Sequence, residues 1–235
     1  MPEGLNRPAP TERHAVEFDV AYLVQQLPAL RAGFVLTIQI SVIAMLISIA
    51  IGLVGASMRV MRVPVLAHLF AAYVEFIRNT PLLVQLFFVF FGLPALGLTL
   101  SLFWSGVLAL TLWAGAFQTE NVRGGLAAIA PGLREAARAL GLTRGQYLRL
   151  VGLPLAVRIG LPAMLNTCVS LVKNSAYVSA IGLRDLAGVA FDRIASDFRA
   201  FEMLAVLLVG YLALVLSLSV AVRVIEHHLQ KPFRT

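Results

Sequence analysis

Three stretches of this chain carry no charged residue: Ala32–Met58, Leu82–Thr119 and Met203–Val222. A helix of about 20 residues rises ~30 Å, the thickness of a bilayer's hydrocarbon core. The first and third stretches therefore each cross a membrane once, and the second is long enough for most of two crossings. At 59% hydrophobic and 13% charged residues, the chain is more apolar than an ordinary soluble domain. The expected fold class is an all-α integral membrane protein with about five transmembrane helices.

The polar residues between the runs set the topology. Arg59 and Arg62 follow the first run, six arginines (Arg123, Arg134, Arg138, Arg144, Arg149, Arg158) surround the single acid Glu135, and Arg223, Lys231 and Arg234 follow the last run. Arg184–Arg199 instead balances Arg184, Arg193 and Arg199 with Asp185, Asp192 and Asp197, which suits an outer loop. Basic residues gather on the cytoplasmic side of membrane proteins, so the N-terminus is expected outside and the C-terminus inside. The same bias accounts for the net charge of +7, which is spread along the chain and implies no nucleic-acid partner. Residues 1–30 read as a polar tail followed by a short interfacial helix at Val20–Leu30, with no cleavable signal evident. Residues 31–228 form the transmembrane domain, and 229–235 a cytoplasmic tail. The lone Cys168 excludes an intrachain disulfide, and the four histidines lack metal-ligand spacing, so no metal site is expected.

Within the domain, proline and glycine mark the breaks. Asn79-Thr80-Pro81 predicts either one bent membrane element over about 65–91 or a surface helix followed by a separate span. Glu75 and Arg78 are spaced to pair on one helix face. The turn at Gly92–Gly97 leads to a third span from about Leu102 to Gln118. Glu120 sits at its end, three residues from Arg123, where it can anchor that arginine or face a polar cavity. A fourth span over Ile159–Leu183 carries Lys173 near its middle, at a cost of roughly 2.5–3.5 kcal/mol unless water or a partner solvates it.

The segment Glu135–Pro154 interrupts the apolar pattern differently. Leu133, Ala136, Ala137 and Leu140 fall on one helical face. Gly141 can adopt the left-handed conformation that ends that helix. Thr143 with Gln146 has the form of a capping box that starts another. Two short helices meeting at a glycine corner follow from these residues, either as a docking element or as a pair lying against the headgroups.

Glu135-Ala136-Ala137, then Gly141, then Val151-Gly152-Leu153-Pro154 resembles the EAA loop of ABC-importer permeases. The resemblance extends from about Gly33 to Glu226 and includes Tyr73–Gln85, Gly115–Gly125, and Lys173-Asn174-Ser175 before Ile181-Gly182-Leu183, all similar to the polar amino acid uptake subfamily. It implies a type I permease fold in a bacterial inner membrane and a non-enzymatic subunit that moves a polar amino acid into the cytoplasm. It further implies an ABC ATPase dimer as partner, supplying ATP and Mg. A second permease subunit, an extracytoplasmic amino-acid-binding protein and membrane lipids complete the set. Coupling would fall on Glu135, Ala136, Ala137, Gly141 and Pro154. The substrate path would involve Lys173, Asn174, Ser175 and Glu120. The chain departs from the family pattern at Gly132-Leu133-Arg134, Lys173–Ala176 and Gly115–Glu120; Lys-Asn-Ser is similar to permeases for acidic or uncharged amino acids. No Gly-x-x-x-x-Gly-Lys-Ser/Thr phosphate loop is present, so energy must come from a partner. An ion-coupled transporter or channel using Lys173 and Glu120 is the competing class.

Overall fold

The computed structural model describes residues 18–230, with side chains through Val224, and every regular element among them is helical. Expectations that fall on residues 1–17 and 231–235 lie outside the described residues. Four helical segments are long and apolar enough to cross a membrane: Val20–Met61, Leu102–Ala127, Arg144–Ile181 and Ala200–Val224. Among the described residues, the broken pair Leu66–Arg78 and Leu82–Leu96, bent by 112°, is together long and apolar enough for a fifth crossing if it counts as one span.

Helix α1 runs unbroken over Val20–Met61, so the expected interfacial helix and first span are one element. Asp19 caps it by accepting a hydrogen bond from the Tyr22 N–H. Pro28 lies within it. A proline there removes the bond to the Val24 carbonyl, and Val24 lies on an exposed face. The N-terminal turns are held instead by tertiary packing: Leu30 buries with Leu186, Val189, Ala190 and Met203.

Helix α2 (Leu66–Arg78) and helix α3 (Leu82–Phe87) meet at Asn79–Pro81, where Pro81 takes an extended conformation. The Gln85 side-chain amide donates to the carbonyls of Ile77 and Thr80 and so holds the bend closed. A π turn (Phe88–Gly92) and a 3-10 turn (Leu93–Leu96) finish the element at Gly97, whose φ of 81° needs no Cβ. The expected Glu75–Arg78 pair does not form. Asn79 bonds the Glu75 carboxylate, and Arg78 turns toward Glu120 at 4.0 Å.

Helix α4 (Leu102–Ala127) is the central element, packed between α1 and α7 (Leu153–Asn174). Small residues permit the approach. A Cβ at Gly52 of α1 would lie 2.5 Å from Gln118 Cβ, and one at Gly125 would lie 2.2 Å from the Ala156 carbonyl oxygen. Apolar burial alone gives little drive inside lipid, and such close backbone packing with interhelical hydrogen bonds replaces it. Gln118 donates to the Met164 carbonyl, and Asn121 donates to the Ala163 carbonyl and Thr167 Oγ1.

Two further helices complete the bundle. Arg184–Arg199 contains a helix, α8 (Leu186–Asp197), rather than the expected loop, capped by Asp185, with Leu186–Ala190 all buried. Helix α9 (Ala200–Gln230) follows. The molecule thus has two ends. One carries the start of α1, α8 and the start of α9; the other carries the end of α1, the end of α4 and the Glu135–Pro154 segment.

Candidate functional site

Pro131 opens helix α5 (Pro131–Ala139) at the position where a missing N–H costs nothing. The helix ends at Gly141, whose φ is 76°. Leu142 N–H bonds the Ala137 carbonyl at 3.0 Å and Gly141 N–H the Arg138 carbonyl at 2.9 Å, a Schellman closure. Thr143 and Gln146 then cap helix α6 (Arg144–Tyr147) reciprocally, side chain to backbone in both directions. The glycine corner predicted from sequence is present with both of its caps.

Burial of the pair differs from a self-contained amphipathic unit. Of the apolar face, only Ala137 is buried. Leu133 is 39% and Leu140 80% exposed, and Ala136 and Glu135 are exposed as well. Pro154 lies exposed in the first turn of α7. Helix α6 passes through a π turn (Leu148–Gly152) directly into α7, making one helical run from Arg144 to Ile181. The corner is therefore carried on α7, with a short connection to the end of α4 on its other side.

Glu120 belongs to a charge cluster. Its carboxylate pairs with Arg59 of α1 and with Arg123 one turn along α4, the latter at 2.6 Å, with Arg78 of α2 farther out. The glutamate side chain is 17% exposed and Arg59 23%. One acid thus ties three helices near the end that carries α5.

Lys173, Asn174 and Ser175 lie elsewhere. They end α7 and begin a 3-10 segment, Ser175–Ile181, that stops at Gly182 with φ 90°. Lys173 is exposed and Asn174 half-buried. Ser175 is fully buried and donates its hydroxyl to the Val172 carbonyl at 2.7 Å. Because Asn121 contacts Ala163 and Thr167, Glu120 sits level with a point on α7 about eight residues before Lys173, roughly 12 Å along the axis. The structure keeps Lys173 and Asn174 together and does not bring Glu120 to them.

Sequence reasoning missed Asp185, which is fully buried between α1 and α9. Its carboxylate accepts from Gly188 N–H at 2.9 Å, Thr37 Oγ1 at 3.3 Å and Tyr211 at 3.4 Å. Burial pushes its carboxyl up to about 6, while bonds from Gly188 and Thr37 pull it down. A signal existed in the sequence: Asp185 directly precedes the small and apolar run Leu186–Ala190, as an N-cap would. Among the described residues, no three His, Cys, Asp or Glu side chains group as a metal site would need.

Comparison with known proteins follows this architecture. Residues 48–231 match the family model for the binding-protein-dependent transport system inner membrane component. The chain is 38% identical over 201 residues to the probable glutamine ABC transporter permease protein GlnM of Bacillus subtilis, covering 86% of this chain and 93% of that one. It is 32% identical over 216 residues to the arginine transport system permease protein ArtQ of the same organism, covering 92% and 99%. The crystal structure of an amino acid ABC transporter with histidines superposes with a TM-score of 0.82 at 32% identity, covering 90% of this chain and 99% of that chain.

Proposed function

We propose how this chain works from the premise that it belongs to the binding-protein-dependent transport system inner membrane components and is the transmembrane permease subunit of an amino-acid ABC importer. It is a multi-pass inner-membrane transport subunit, not a catalytic one. The α5–α6 corner is the element that docks in a groove of a separate ATPase dimer, where ATP and Mg are bound. The observation that carries this reading is the uncovered apolar face of α5, with Leu133, Ala136 and Leu140 presented outward from a corner that is itself rigidly capped. A pair lying against the headgroups would turn that same face to lipid, and association with the ATPase separates the two readings.

Coupling follows from continuity. Movement of the corner is transmitted along the single helical run from α6 through α7 to Lys173. The contact of Gly125 with the Ala156 carbonyl makes α4 follow α7. Glu135, Ala136, Ala137, Gly141 and Pro154 are the coupling residues. Arg59, Arg62 and the arginines of α5 and α6 stand at one end, whereas Arg184, Asp192, Arg193, Asp197 and Arg199 balance at the other. That partition supports a cytoplasmic α5 end, with the N-terminus outside and the C-terminus inside.

Lys173 and Asn174 line the substrate path. An ammonium on the outer surface of an apolar helix needs water or a protein partner, and a second permease subunit facing it provides both wall and cavity. An extracytoplasmic binding protein delivers the substrate, a polar amino acid. The relatives named above carry glutamine and arginine in their names. Lys173 meets the α-carboxylate common to all amino acids, so it orients the substrate without selecting its side chain.

The test is ATP-dependent uptake in proteoliposomes holding the permease, its ATPase and its binding protein. Gly141→Val places a β-branched residue at positive φ, at roughly 1–2 kcal/mol, and should abolish ATPase co-purification and uptake together. Uptake that persists without nucleotide and follows an ion gradient would refute the reading.

A further inference from the structure

We infer that the chain holds one anionic phospholipid at the α5 end, with its phosphate among arginines and its acyl chains in an apolar groove between α1 and α2. The inference rests on α1 being a membrane-spanning helix and is independent of ATPase docking. A cavity of about 330 Å³ opens between the end of α1 and the α5–α6 corner, and Arg62, Arg134, Arg138 and Arg144 line it without a carboxylate among its walls. Met61, Leu142 and Leu148 supply its apolar sides. Among the described residues, none of the four arginines has an ion-pair partner; Arg134 stacks over the Tyr147 ring, 5.8 Å from its centroid. Glu135 lines the neighbouring cavity that shares Arg62, Arg134 and Arg138 but makes no ion pair with them, so the four guanidiniums leave a net positive cavity that an anion would fill. Their paired N–H donors match phosphate oxygens.

A second observation identifies the anion as a lipid headgroup. An apolar groove of about 550 Å³ runs along α1 and α2, lined by Ile47, Ile51 and Val54 on one side and Leu69, Phe70 and Tyr73 on the other, with almost no polar surface. Ile47, Ile51, Val54, Met58 and Met61 fall at i, i+4, i+7, i+11 and i+14, so they form one stripe of α1. Ile47, Ile51 and Val54 line the groove and Met61 lines the basic cavity, so the two sites lie along one stripe about two turns apart. The α1–α2 turn keeps Arg62 at its end: Arg62 and Val65 both hold positive φ, 54° and 66°. An apolar groove along one stripe of α1, with a cluster of cations at the end of that stripe, suits the acyl chains and the phosphate of an anionic phospholipid. A free phosphate would use the cavity and leave the groove without a role.

The full-length chain in detergent is titrated with dioleoyl phosphatidylglycerol, with dioleoyl phosphatidylcholine and with inorganic phosphate, and adducts are read by native mass spectrometry. Phosphatidylglycerol should bind at least about tenfold more tightly than phosphatidylcholine, and each guanidinium removed should cost roughly fivefold, so that R134Q/R138Q loses about thirtyfold. These arginines are exposed, so the variant should keep its fold, and R184Q at the opposite end should change nothing. Val54→Trp, which fills the groove, should weaken phosphatidylglycerol binding and leave phosphate binding intact. Equal affinity for the two lipids overturns the proposal, as does R134Q/R138Q that binds normally. Phosphate displacing the lipid with Val54→Trp silent would indicate a free-anion site instead. R134Q/R138Q that keeps its lipid preference but loses ATPase co-purification would assign the arginines to subunit docking and also overturn it.

Discussion

Gly124 and Gly125 are adjacent residues of one helix for which the structure predicts opposite responses to the same substitution. An added Cβ at Gly124 meets no atom within 4 Å, whereas one at Gly125 lies 2.2 Å from the Ala156 carbonyl oxygen and 3.2 Å from its Cα. The opposing atoms are backbone within α7 and cannot rotate aside. Accommodating Gly125→Ala requires α4 and α7 to part by about 1 Å, an overpacking strain of roughly 1–3 kcal/mol. The helical preference of alanine over glycine returns about 0.5–1 kcal/mol at either site. Gly125→Ala should therefore destabilise by about 1–2 kcal/mol, and Gly124→Ala should stabilise by somewhat less than 1. At roughly 2–4 °C per kcal/mol for a chain of this size, the shifts are about 2–8 °C downward and 1–4 °C upward. Thermal unfolding of the purified full-length chain in detergent, followed by tryptophan fluorescence, reads both. If the two variants move in the same direction, the close α4–α7 contact is not what positions these helices.

Three further outcomes follow from the charged and buried groups. Glu120→Gln leaves Arg59 and Arg123 without their shared carboxylate and should lower stability by about 2 kcal/mol, between the values for exposed and buried pairs; a melting temperature within 1 °C of wild type rejects the anchoring role. Asp185, which lies between the last two spanning helices, has its carboxyl raised to about 6 from 3.8 by burial, so its contribution is fully present below pH 3.8 and is lost as pH rises through about 6. Asp185→Asn keeps the cap acceptor and should flatten the fall in melting temperature between pH 4 and 7; parallel profiles for variant and wild type would contradict this. Lys173→Met removes a cation from an apolar helix surface and should leave stability equal or higher while slowing ATP-dependent uptake at least about tenfold, the loss of one charge-assisted bond; unchanged uptake removes Lys173 from the path.

Features governed by neighbouring residues were legible in the sequence. The spans follow from charge-free length, and the corner at Gly141 follows from a left-handed glycine and a Thr143–Gln146 box that need no distant partner. What the sequence hid depends on residues far along the chain. The sequence reads Val20–Leu30 as a short interfacial helix ahead of Arg31 and a separate first span. Helix α1 nevertheless continues, because Tyr22, Leu23 and Leu30 pack on α8 and α9, elements more than 150 residues away. Equal numbers of acids and bases made 184–199 read as a loop. Yet Arg184 bonds Asp192 and Arg193 bonds Asp197 on the outer side of a helix, while Leu186–Ala190 and the capping Asp185 turn inward. Charge balance reports which side of the membrane a segment prefers and says nothing of its periodicity.

The same distinction separates the two ionisable residues that sequence spacing left level. Glu120 and Lys173 both interrupt apolar helices, and each could hold a substrate or hold the fold. Glu120 is engaged by arginines of α1 and α4 and lies at the α5 end, so its charge is neutralised by its own chain. The polar residues facing the interior beside it are engaged in the same way, Gln118 and Asn121 by α7 carbonyls. Lys173 has no ion-pair or hydrogen-bond partner among the described residues, is exposed, and occupies the last turn of the helical run that begins at the α5–α6 corner. A permease must leave some charge unsatisfied by its own fold if a travelling amino acid is to pair with it for part of the cycle. Glu120 is compensated by Arg59 and Arg123 whereas Lys173 is left uncompensated by its own chain, which is why the proposed path runs past Lys173.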